Sequence, residues 1–590
     1  MSQLKDLVPG CSFLVDDIEH IVTPEDFTDE HQMIARTTEE FLDKEILPKM
    51  EHLENQEIEY TVDLLKQAGE LGLLSADIPE AYGGLALDAV SSALITEKLS
   101  VAGGFSVSHS GHVGIGSLPI IYFGNEDQKK KYLPKLATGE LLAAYALTEP
   151  ASGSDALGAR ATAKLNDAGT HYILNGEKQF ITNAGFADVF IVYAKIDGKH
   201  FSAFIVERDF PGVSTGPEEK KMGLKSSSTR TLILEDAEVP VDNLLGEKGR
   251  GHIIAFNILN VGRSKLAISS VGATKRALEL ATTYTNEREQ FNQPLSRFTL
   301  TQNKLATIAT ELYAHESAVY RTVGLYDQRI GSLSIEQLKD GREVANAIAA
   351  YQVECSINKY TCTELLDRSV DEALQLHGGY GFVQEYEIER MYRDSRVNRI
   401  FEGTNEINRI LVPRQLLKLA ASGQLSLFAN IEQSQKELLS PYQVKDEHVL
   451  AKEKVVLNKA KHLFLYVIHH LNENYQEKLE FEQELLVNLA DIVAHIYNME
   501  SAILRTEKAI QATGKEKSAL KRLYTEVYVQ ETIEKIVTDA KHSLLATEEN
   551  NSQQDIRAAL DEFIRQVTIN IIPKKREIAR KVIEEEKYVV

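Results

Sequence analysis

The hydrophobic pattern of this 590-residue chain changes its period twice, and no other feature constrains the fold as strongly. From about residue 25 to 145, apolar side chains such as Leu64 and Ala68 recur at the three- and four-residue spacing of an α-helix. Between about 146 and 245, short runs rich in β-branched and aromatic residues replace them. Helical spacing returns from about 250 to 415. The pattern therefore predicts an α+β chain in the order helix, β, helix.

The β-rich segment carries turn signals between its runs. An Asn-Gly pair at 175–176 separates YIL from QFIT, and an Asp-Gly pair at 197–198 separates two later runs. Asn-Gly between short strands is typical of a type I′ hairpin, because both central residues of that turn need a positive φ. We therefore expect a middle antiparallel β-barrel domain in which Phe180 and Thr182 lie on the strand returning from residues 175–176.

The last third of the chain is helical as well. Beyond Pro413 only two prolines interrupt about 175 residues rich in Glu, Lys, Leu and Ala. This composition predicts an extra domain. The expected domains are an N-terminal helical domain (25–145), the β domain (146–245), a C-terminal four-helix-type bundle (250–415) and an all-helical C-terminal extension (425–590).

Charge and cysteine content exclude several classes of protein. With 87 Asp and Glu against 65 Lys and Arg, the formal charge of -22 argues against nucleic-acid binding, since nucleic acids favour a basic surface. Three cysteines without a CxxC pair predict neither a disulfide framework nor a zinc site, and we expect no metal of any kind. There is no run of about 18 apolar residues and no N-terminal targeting pattern, so we expect a cytoplasmic protein.

The segment NRIFEGTNEINR holds two carboxylates four residues apart. On a helix, Glu402 and Glu406 would share one face. A carboxylate beside the apolar Phe401 could be a general base, because desolvation disfavours the charged form and raises the pKa. The alternative is an exposed charged face in which the two glutamates pair with Arg399 and Arg409. The spacing selects neither between these interpretations nor between the two glutamates.

Three further segments predict a large, partly anionic ligand: YALTEPASGSD (145–155), GRSKLA (262–267) and NEREQFNQP (286–294). Arg263 and Arg288 are 25 residues apart, which is about 37 Å on one continuous helix. They cannot hold the same phosphate within one chain. Either they serve two anion sites, or one reaches across a subunit interface; each alone could also be a surface salt bridge.

Two glycine-rich segments interrupt the helical pattern. GGFSVSHSGHVGIGS (103–117) suits either a flexible connection or a close approach of chain or ligand. If a ligand approaches this segment, its small residues leave an open cavity for that ligand. QLHGGYGF (375–382) also suits close backbone approach to a ligand. It is not a GxGxxG motif after a strand, so no Rossmann dinucleotide site is expected.

Seven motifs in order carry a resemblance to a known family. They are IPEAYGG, YALTEPASGSD, EKQFITNAG, KKMGLKSSSTR, NEREQFNQP, QLHGGYGF and IFEGTNEI. Together they resemble the acyl-CoA dehydrogenase family from about residue 25 to 415, and the helical extension resembles its very-long-chain branch. The resemblance implies non-covalent FAD, a long-chain acyl-CoA substrate, electron-transfer flavoprotein as partner, a role in fatty-acid β-oxidation, and a homodimer.

The resemblance also implies a role for each matched residue. Glu402 matches the catalytic base that removes the α proton while hydride passes from the β carbon to flavin N5, giving trans-2-enoyl-CoA. Gly262 stands where some relatives place their base, which favours Glu402 here. The residues matched to FAD binding are Tyr145, Leu147, Thr148, Ser154, Phe180, Thr182, Arg288, Gln290, Phe291, Gln375, Gly379, Thr404 and Glu406. Those matched to the FAD of the neighbouring subunit are Arg288, Gln290, Phe291, Gln375 and Gly379. Those matched to substrate binding are Ser154, Asn260, Arg263 and Gly403.

Alternatives to this function stay open at the level of sequence. An acyl-CoA oxidase would share most of these residues but pass electrons to oxygen, and a non-enzymatic assembly or scaffold protein could use the same fold. The terminal segment IIPKKREIARKVIEEEKYVV mixes basic and apolar residues, a pattern that could lie on an anionic membrane, although three consecutive glutamates oppose this. We expect it to pack against the rest of the protein, with weak peripheral membrane contact as the alternative.

Overall fold

The computed structural model describes residues 7–444, 448–547 and 551–590, and its first part is helical as the spacing predicts. The helices are α1 (Asp29–Phe41), α2 (Met50–Glu54), α3 (Ile58–Glu70), α4 (Ala89–Leu99), α5 (Gly104–Ser110), α6 (Leu118–Phe123) and α7 (Glu126–Thr138). Between α5 and α6 the segment Gly111–Ser117 forms a π-helix. The glycine-rich stretch 103–117 is therefore mostly buried helix, and the flexible connection considered for it is wrong.

A single sheet follows. Its strands are β1 (Ala143–Ala146), β2 (Thr162–Leu165), β3 (His171–Thr182), β4 (Val189–Ile196), β5 (His200–Glu207), β6 (Val213–Thr215), β7 (Thr229–Pro240) and β8 (Leu244–Leu245). The strand order is β6-β7-β3-β2-β4-β5-β8, and β1 also pairs with β4. The expected β domain is confirmed, but β1 and β2 both run parallel to β4, so the sheet is mixed. Strand β4 is almost entirely buried, as its continuous apolar run VFIVYA suits.

The hairpin expected at residues 175–176 is not formed. Strand β3 continues through this pair, and its ladder with β7 shifts register between Leu174 and Gly176. A Cβ on Gly176 would lie 2.9 Å from Cα of Ala161, so the glycine serves a β-bulge and a close strand contact instead of a turn. The Asp-Gly pair at 197–198 does connect β4 to β5, with φ values of 53° and 69°.

The helical bundle after the sheet is built on long helices. Its elements are α8 (Gly251–Glu287), the hairpin β9 (Glu289–Gln290) and β10 (Gln293–Pro294), α9 (Thr299–Gly331), α10 (Ile335–Lys339), α11 (Gly341–Ala349), α12 (Gln352–His377), α13 (Glu387–Ser395) and α14 (Asn405–Ala421). Helix α12 packs along α8, and α9 contacts both. The β9–β10 hairpin directly follows the carboxyl end of α8. Helix α14 begins directly after the EGT segment at 402–404.

The extension shares the core of that bundle. Its helices are α15 (Ile431–Leu439), α16 (Ala451–Tyr475), α17 (Gln483–Thr513), α18 (Ala519–Leu545), α19 (Asn551–Val567) and α20 (Ile572–Glu585). One continuous apolar cluster contains Tyr313 of α9, Ile357 of α12, Leu486 of α17 and Ile533 of α18. The extension is therefore packed onto the bundle through buried apolar surface, the main driving force of such association.

The terminal helix α20 is part of this packing. Ile578, Ala579 and Val582 are fully buried against α9 and α18, and Lys575 donates hydrogen bonds to Thr307 and Glu531. The expected packing against the protein is found. Ile578 and Val582, two of the apolar residues that motivated the membrane alternative, are thus covered, whereas Ile572 is 58% exposed. Among the described residues, no helix is both long and apolar enough to cross a membrane.

Candidate active site

Glu402 lies in a tight turn immediately before α14. Its φ is 57° and that of Gly403 is 79°, so two successive residues have left-handed backbone. Thr404 then caps α14, its hydroxyl accepting a hydrogen bond from the N–H of Ile407 at 3.2 Å. Glu406 is exposed in the first turn of α14, where a negative charge is favoured. Because Glu402 precedes the helix, the expected shared helical face of Glu402 and Glu406 is wrong.

The Glu402 carboxyl group occupies a buried space. Its Oε2 atom is buried and has no hydrogen-bond partner in the described structure. Gly262 of α8 makes the space, since a Cβ there would lie 2.6 Å from Oε2. Burial raises the pKa of Glu402 to about 7, although Arg263 and Lys359 oppose the shift. The residue is therefore poised to exchange a proton near neutral pH.

Three side chains hold the backbone of this turn. Arg263 Nε donates to the carbonyl of Glu402 at 3.3 Å, and Lys359 Nζ donates to the carbonyl of Gly403 at 2.8 Å. Asn408 Nδ2 donates to the same Gly403 carbonyl at 2.8 Å. Strained backbone persists only where its surroundings over-determine it, and these donors do so here.

The predicted substrate-side residues meet at the turn. Arg263 Nη1 donates to Asn260 Oδ1 at 3.1 Å, and both side chains are buried on α8. A Cβ on Gly403 would lie 3.8 Å from Arg263 Nη2. Asn260, Arg263 and Gly403 therefore surround Glu402, as the sequence predicts for one site.

The alternative of an exposed charged face is wrong. Arg399 donates to Asp367 at 2.5 Å. Arg409 donates to both carboxylate oxygens of Glu364, at 2.6 and 2.9 Å. Both arginines thus have other partners than the two glutamates.

The start of the sheet faces this site. Tyr145 of β1 has a buried hydroxyl without a hydrogen-bond partner in the described structure. Burial, with further contributions from Tyr193 and Glu402, raises the pKa of Tyr145 well above its usual value. Because the charge of Glu402 contributes to this shift, Tyr145 lies near the Glu402 carboxyl group.

Leu147, Thr148, Phe180 and Thr182 gather at the end of β3. The register of β3 shifts again between Lys178 and Ile181, and Phe180 bulges out there with a φ of 59° and 58% of its surface exposed. The N–H of Gln179 donates to the carbonyl of Thr148 at 2.8 Å, which fixes the 147–148 loop beside the bulge. An exposed aromatic ring flanked by two threonines results.

A buried ion pair holds the following loop. Glu149 accepts a hydrogen bond from Lys178 at 2.6 Å, and both side chains are almost fully buried. The carboxylate of Glu149 also accepts from the N–H groups of Arg160 and Ala161, at 2.5 and 3.1 Å. Ser154 lies further along this loop and is exposed. Glu149 is thus a structural anchor of the TEP motif.

The remaining predicted ligand residues form a separate surface. Arg288 ends α8, so it lies about 37 Å along this continuous helix from Arg263, as expected. Its guanidinium lies 5.7 Å from the ring centre of Tyr380. Phe291, at the tip of the β9–β10 hairpin, is 88% exposed. Exposed residues of the same region include Gln290, Gln375 and Gly379. We name Arg288, Gln290, Phe291, Gln375, Gly379 and Tyr380 the distal surface.

Sequence reasoning missed several residues at the site. Lys359 gave no signal, because it lies in the middle of an ordinary helical pattern. Asn183 follows β3 with a φ of 68°; its Nδ2 donates to the carbonyl of Ser108 at 2.9 Å, while its Oδ1 has no partner in the described structure. The EKQFITNAG motif contained Asn183, and an asparagine at a strand end is a recognisable αL signal.

Models of one protein family match most of the chain. Family models described as the N-terminal, middle and C-terminal domains of acyl-CoA dehydrogenase match residues 28–140, 144–237 and 249–417, and a further C-terminal domain model of that family matches 459–561.

Individual relatives extend this match. The chain is 58% identical over 589 residues to a probable acyl-CoA dehydrogenase of Bacillus subtilis (strain 168), covering 99% of both. The crystal structure of an acyl-CoA dehydrogenase complexed with FAD from Bacillus anthracis is 60% identical, with a TM-score of 0.97 over 99% of this chain and 100% of that one. The mitochondrial very long-chain specific acyl-CoA dehydrogenase of Bos taurus is 38% identical over 394 residues, 65% of this chain and 57% of that protein. The chain therefore belongs to the acyl-CoA dehydrogenase family, whose members are oxidoreductases acting on CH–CH bonds.

Proposed function

We propose that this protein uses FAD to oxidise long-chain acyl-CoA to trans-2-enoyl-CoA, a step of fatty-acid β-oxidation, with electron-transfer flavoprotein as the electron acceptor. One observation carries the proposal. Glu402 has a buried, unpartnered carboxylate oxygen, and Gly262 leaves the space for it. A desolvated carboxylate of this kind is suited to remove a weakly acidic proton next to a carbonyl.

Proton removal and stabilisation of the developing negative charge are assigned to different groups of this chain. The Glu402 carboxylate accepts the α proton of the thioester. No acceptor for the Glu402 backbone N–H is found among the described residues, so this N–H is available to the thioester oxygen, where negative charge develops. Arg263 and Lys359, both close to the turn, favour the carboxylate form of Glu402 before the proton moves.

The residues at the end of β3 fit a flavin. The exposed ring of Phe180 offers a flat apolar surface, and Thr182 and the loop with Thr148 are its neighbours along the backbone. The unpartnered Oδ1 of Asn183, the residue directly after Thr182, is a further polar atom near this strand end. FAD, when bound, supplies the acceptor for hydride from the substrate β carbon. Ser154, Thr404 and Glu406 are assigned to the same cofactor by their motif positions.

The distal surface supports a homodimer. Arg288 has no ion-pair partner in the described structure, and it is too far along α8 from Arg263 to reach a ligand at the Glu402 site of its own chain. Phe291 is 88% exposed, and large exposed aromatics often mark interaction sites. We therefore assign Arg288, Gln290, Phe291, Gln375 and Gly379 to the FAD of a second copy of the chain.

The preference for long acyl chains has its support in the bovine very long-chain relative. The small residues of 103–117 do not add to it. A Cβ on Gly104 would lie 2.5 Å from Ser226, and one on Gly116 would lie 2.7 Å from Ala143. Gly104 and Gly116 therefore permit close packing at these two points, and the open cavity expected from the rest of the segment stays a prediction.

The decisive experiment follows the bound flavin without oxygen. Anaerobic addition of palmitoyl-CoA should bleach the flavin absorbance, and electron-transfer flavoprotein should restore it faster than oxygen does. Rapid reoxidation by oxygen with peroxide formation would favour the oxidase alternative. A flavin that no acyl-CoA reduces would contradict the proposal and favour a scaffold role. A kcat/KM that peaks at butyryl-CoA would contradict the long-chain preference.

We also propose that the reaction takes place in the cytoplasm.

A further inference from the structure

Lys359 is a fully buried cation directly behind the Glu402 turn. Its side chain, on α12, is 0% exposed. Its Nζ donates to the Gly403 carbonyl at 2.8 Å and to Asn405 Oδ1 at 2.7 Å. Among the described residues no carboxylate lies within ion-pair distance of this ammonium. Burial lowers the pKa of Lys359 to about 7, and the nearby Glu402 opposes the shift.

A buried ammonium without a carboxylate partner does not stabilise the folded protein. A buried charge is expensive unless a counter-charge lies beside it, and a neutral side chain could fill the same space. The contacts of Lys359 instead go to the backbone of Gly403 and to Asn405, the residues on either side of the helix cap. Asn405 is itself held by the carbonyl of Tyr360 and by Thr363, at 3.3 and 3.1 Å. Lys359 thus joins the turn to a rigid helix.

The charges around Glu402 come from different elements. Arg263 faces it from α8 and Lys359 from α12, and both favour the ionised carboxylate. Tyr145 faces it from β1 and has a raised pKa, so it is neutral. Glu364 and Glu406 act electrostatically on Lys359. Lys359 is therefore the only one of these groups that touches the turn's backbone and can also change its charge near neutral pH.

We propose that Lys359 is a positioning residue for the base: its ammonium fixes the Gly403 carbonyl, and with it the direction of the Glu402 side chain, and its charge favours the carboxylate. This inference rests on the proposed function. The position of a reacting group strongly affects the reaction rate, since a displacement of about 1 Å can reduce the rate about 10²-fold.

The test replaces the ammonium and follows Glu402 directly. Lys359→Met removes both charge and hydrogen bonds. The matched control is Lys459→Met, because Lys459 of α16 is also buried and donates to backbone carbonyls, those of Glu437, Leu438 and Ser440. Flavin content and Tm report on folding. Infrared titration of the purified holoprotein, with Glu402→Gln as the reference, reports the ionisation midpoint of Glu402 without any substrate.

We expect the midpoint of Glu402 to rise in Lys359→Met, because a favourable positive charge is lost. At neutral pH, kcat/KM should fall about 10²-fold, mainly through kcat. Lys459→Met should leave both quantities at wild-type values. Lys359→Arg, which keeps the charge, should restore the midpoint. If Lys359→Met does not fold as a flavoprotein, Lys359→Gln removes the charge while retaining a donor and should show the same rise.

Two results would overturn the inference: a wild-type midpoint in the folded neutral variants, or an equal rise in Lys459→Met. Failure of the proposed function looks different. There, wild-type flavin would resist reduction by acyl-CoA, while the infrared midpoint would still respond to Lys359.

Discussion

Left-handed backbone at a non-glycine residue marks Glu402. With a φ of 57° it adopts a conformation that costs on the order of 1 kcal/mol or more, and the following Gly403 continues the turn. The turn places the carboxyl group over Gly262 and away from the face of α14. Strain at this position is thus tied to where a single carboxylate points, and three predictions concern that carboxylate.

Glu402→Gln should abolish proton removal while preserving shape. Loss of a positioned general base typically lowers the rate by about 10² to 10⁴. Flavin content should stay at the wild-type level, since the amide fills the same space. The measurement is the anaerobic rate of flavin bleaching by palmitoyl-CoA. Near-normal bleaching would show that another group is the base.

Activity should depend on pH through the same group. Because burial raises the pKa of Glu402 to about 7, the carboxylate is lost as the pH falls through that value. The value of kcat/KM should therefore increase from acid to neutral pH in proportion to the deprotonated fraction. A kcat/KM that does not change from well below to well above neutrality would contradict this assignment.

Gly262→Ala should lower activity without touching the base. A Cβ there would lie 2.6 Å from Glu402 Oε2, so the carboxyl group must move. We expect a decrease in kcat of about 10-fold or more, since small misplacements of reacting groups are costly. The control is Gly331→Ala at the end of α9, where a Cβ would meet nothing within 4 Å. Equal activities of the two variants would contradict the role given to Gly262.

At the scale of elements, α14 connects the Glu402 turn to the C-terminal extension. Arg409 of α14 donates to Asp491 of α17 at 2.7 Å and to Glu364 of α12, and its guanidinium lies 4.4 Å from the ring centre of Tyr360. The helix that follows the Glu402 turn is therefore held between the bundle and the extension. These polar contacts add to the apolar core that the extension shares with α9 and α12.

Asp491→Asn should weaken this connection. A hydrogen bond to a charged group contributes about 1.5 to 3 kcal/mol, and Asp491 is only 26% exposed, so we expect a loss of about 1 to 2 kcal/mol in the free energy of unfolding. Urea denaturation measures it. The control is Asp197→Asn, which removes an exposed pair with Lys248 and should cost less than about 1 kcal/mol. Similar losses of unfolding free energy in the two variants would show that the Arg409–Asp491 contact stabilises the protein no more than an exposed ion pair does.

At the scale of the whole molecule, the distal surface is the proposed contact with a second copy of the chain. Phe291→Ser should weaken the dimer, because an exposed aromatic side chain buries a large apolar area when an interface forms. Sedimentation velocity should show more monomer, and flavin should be lost on dilution. Phe481→Ser is the control, since Phe481 is 73% exposed but lies in the extension. A dimer unaffected by Phe291→Ser would remove the distal surface from the interface.

Sequence by itself determined the order of helices and strands and the chemistry available at the site. Periodicity is a local property, so the change to β structure near residue 146 and the return to helix near 250 could be read directly. Seven motifs in order carried the resemblance to the family, and that resemblance, not the spacing of the two glutamates, pointed to Glu402. The 25-residue separation of Arg263 and Arg288 implied that they do not hold the same phosphate within one chain, and the continuous helix α8 keeps them that far apart.

Tertiary structure decided what depends on residues distant in the chain. The Asn-Gly pair at 175–176 is a bulge because Gly176 packs on Ala161, and no local signal contains that contact. The close contact of Gly116 with Ala143 of β1 is likewise absent from any local signal. Lys359 reaches the carbonyl of Gly403 across 44 residues, and only the packing of α12 behind the turn brings them together. Local patterns specify elements, whereas burial and pairing between elements set the direction and the pKa of the base.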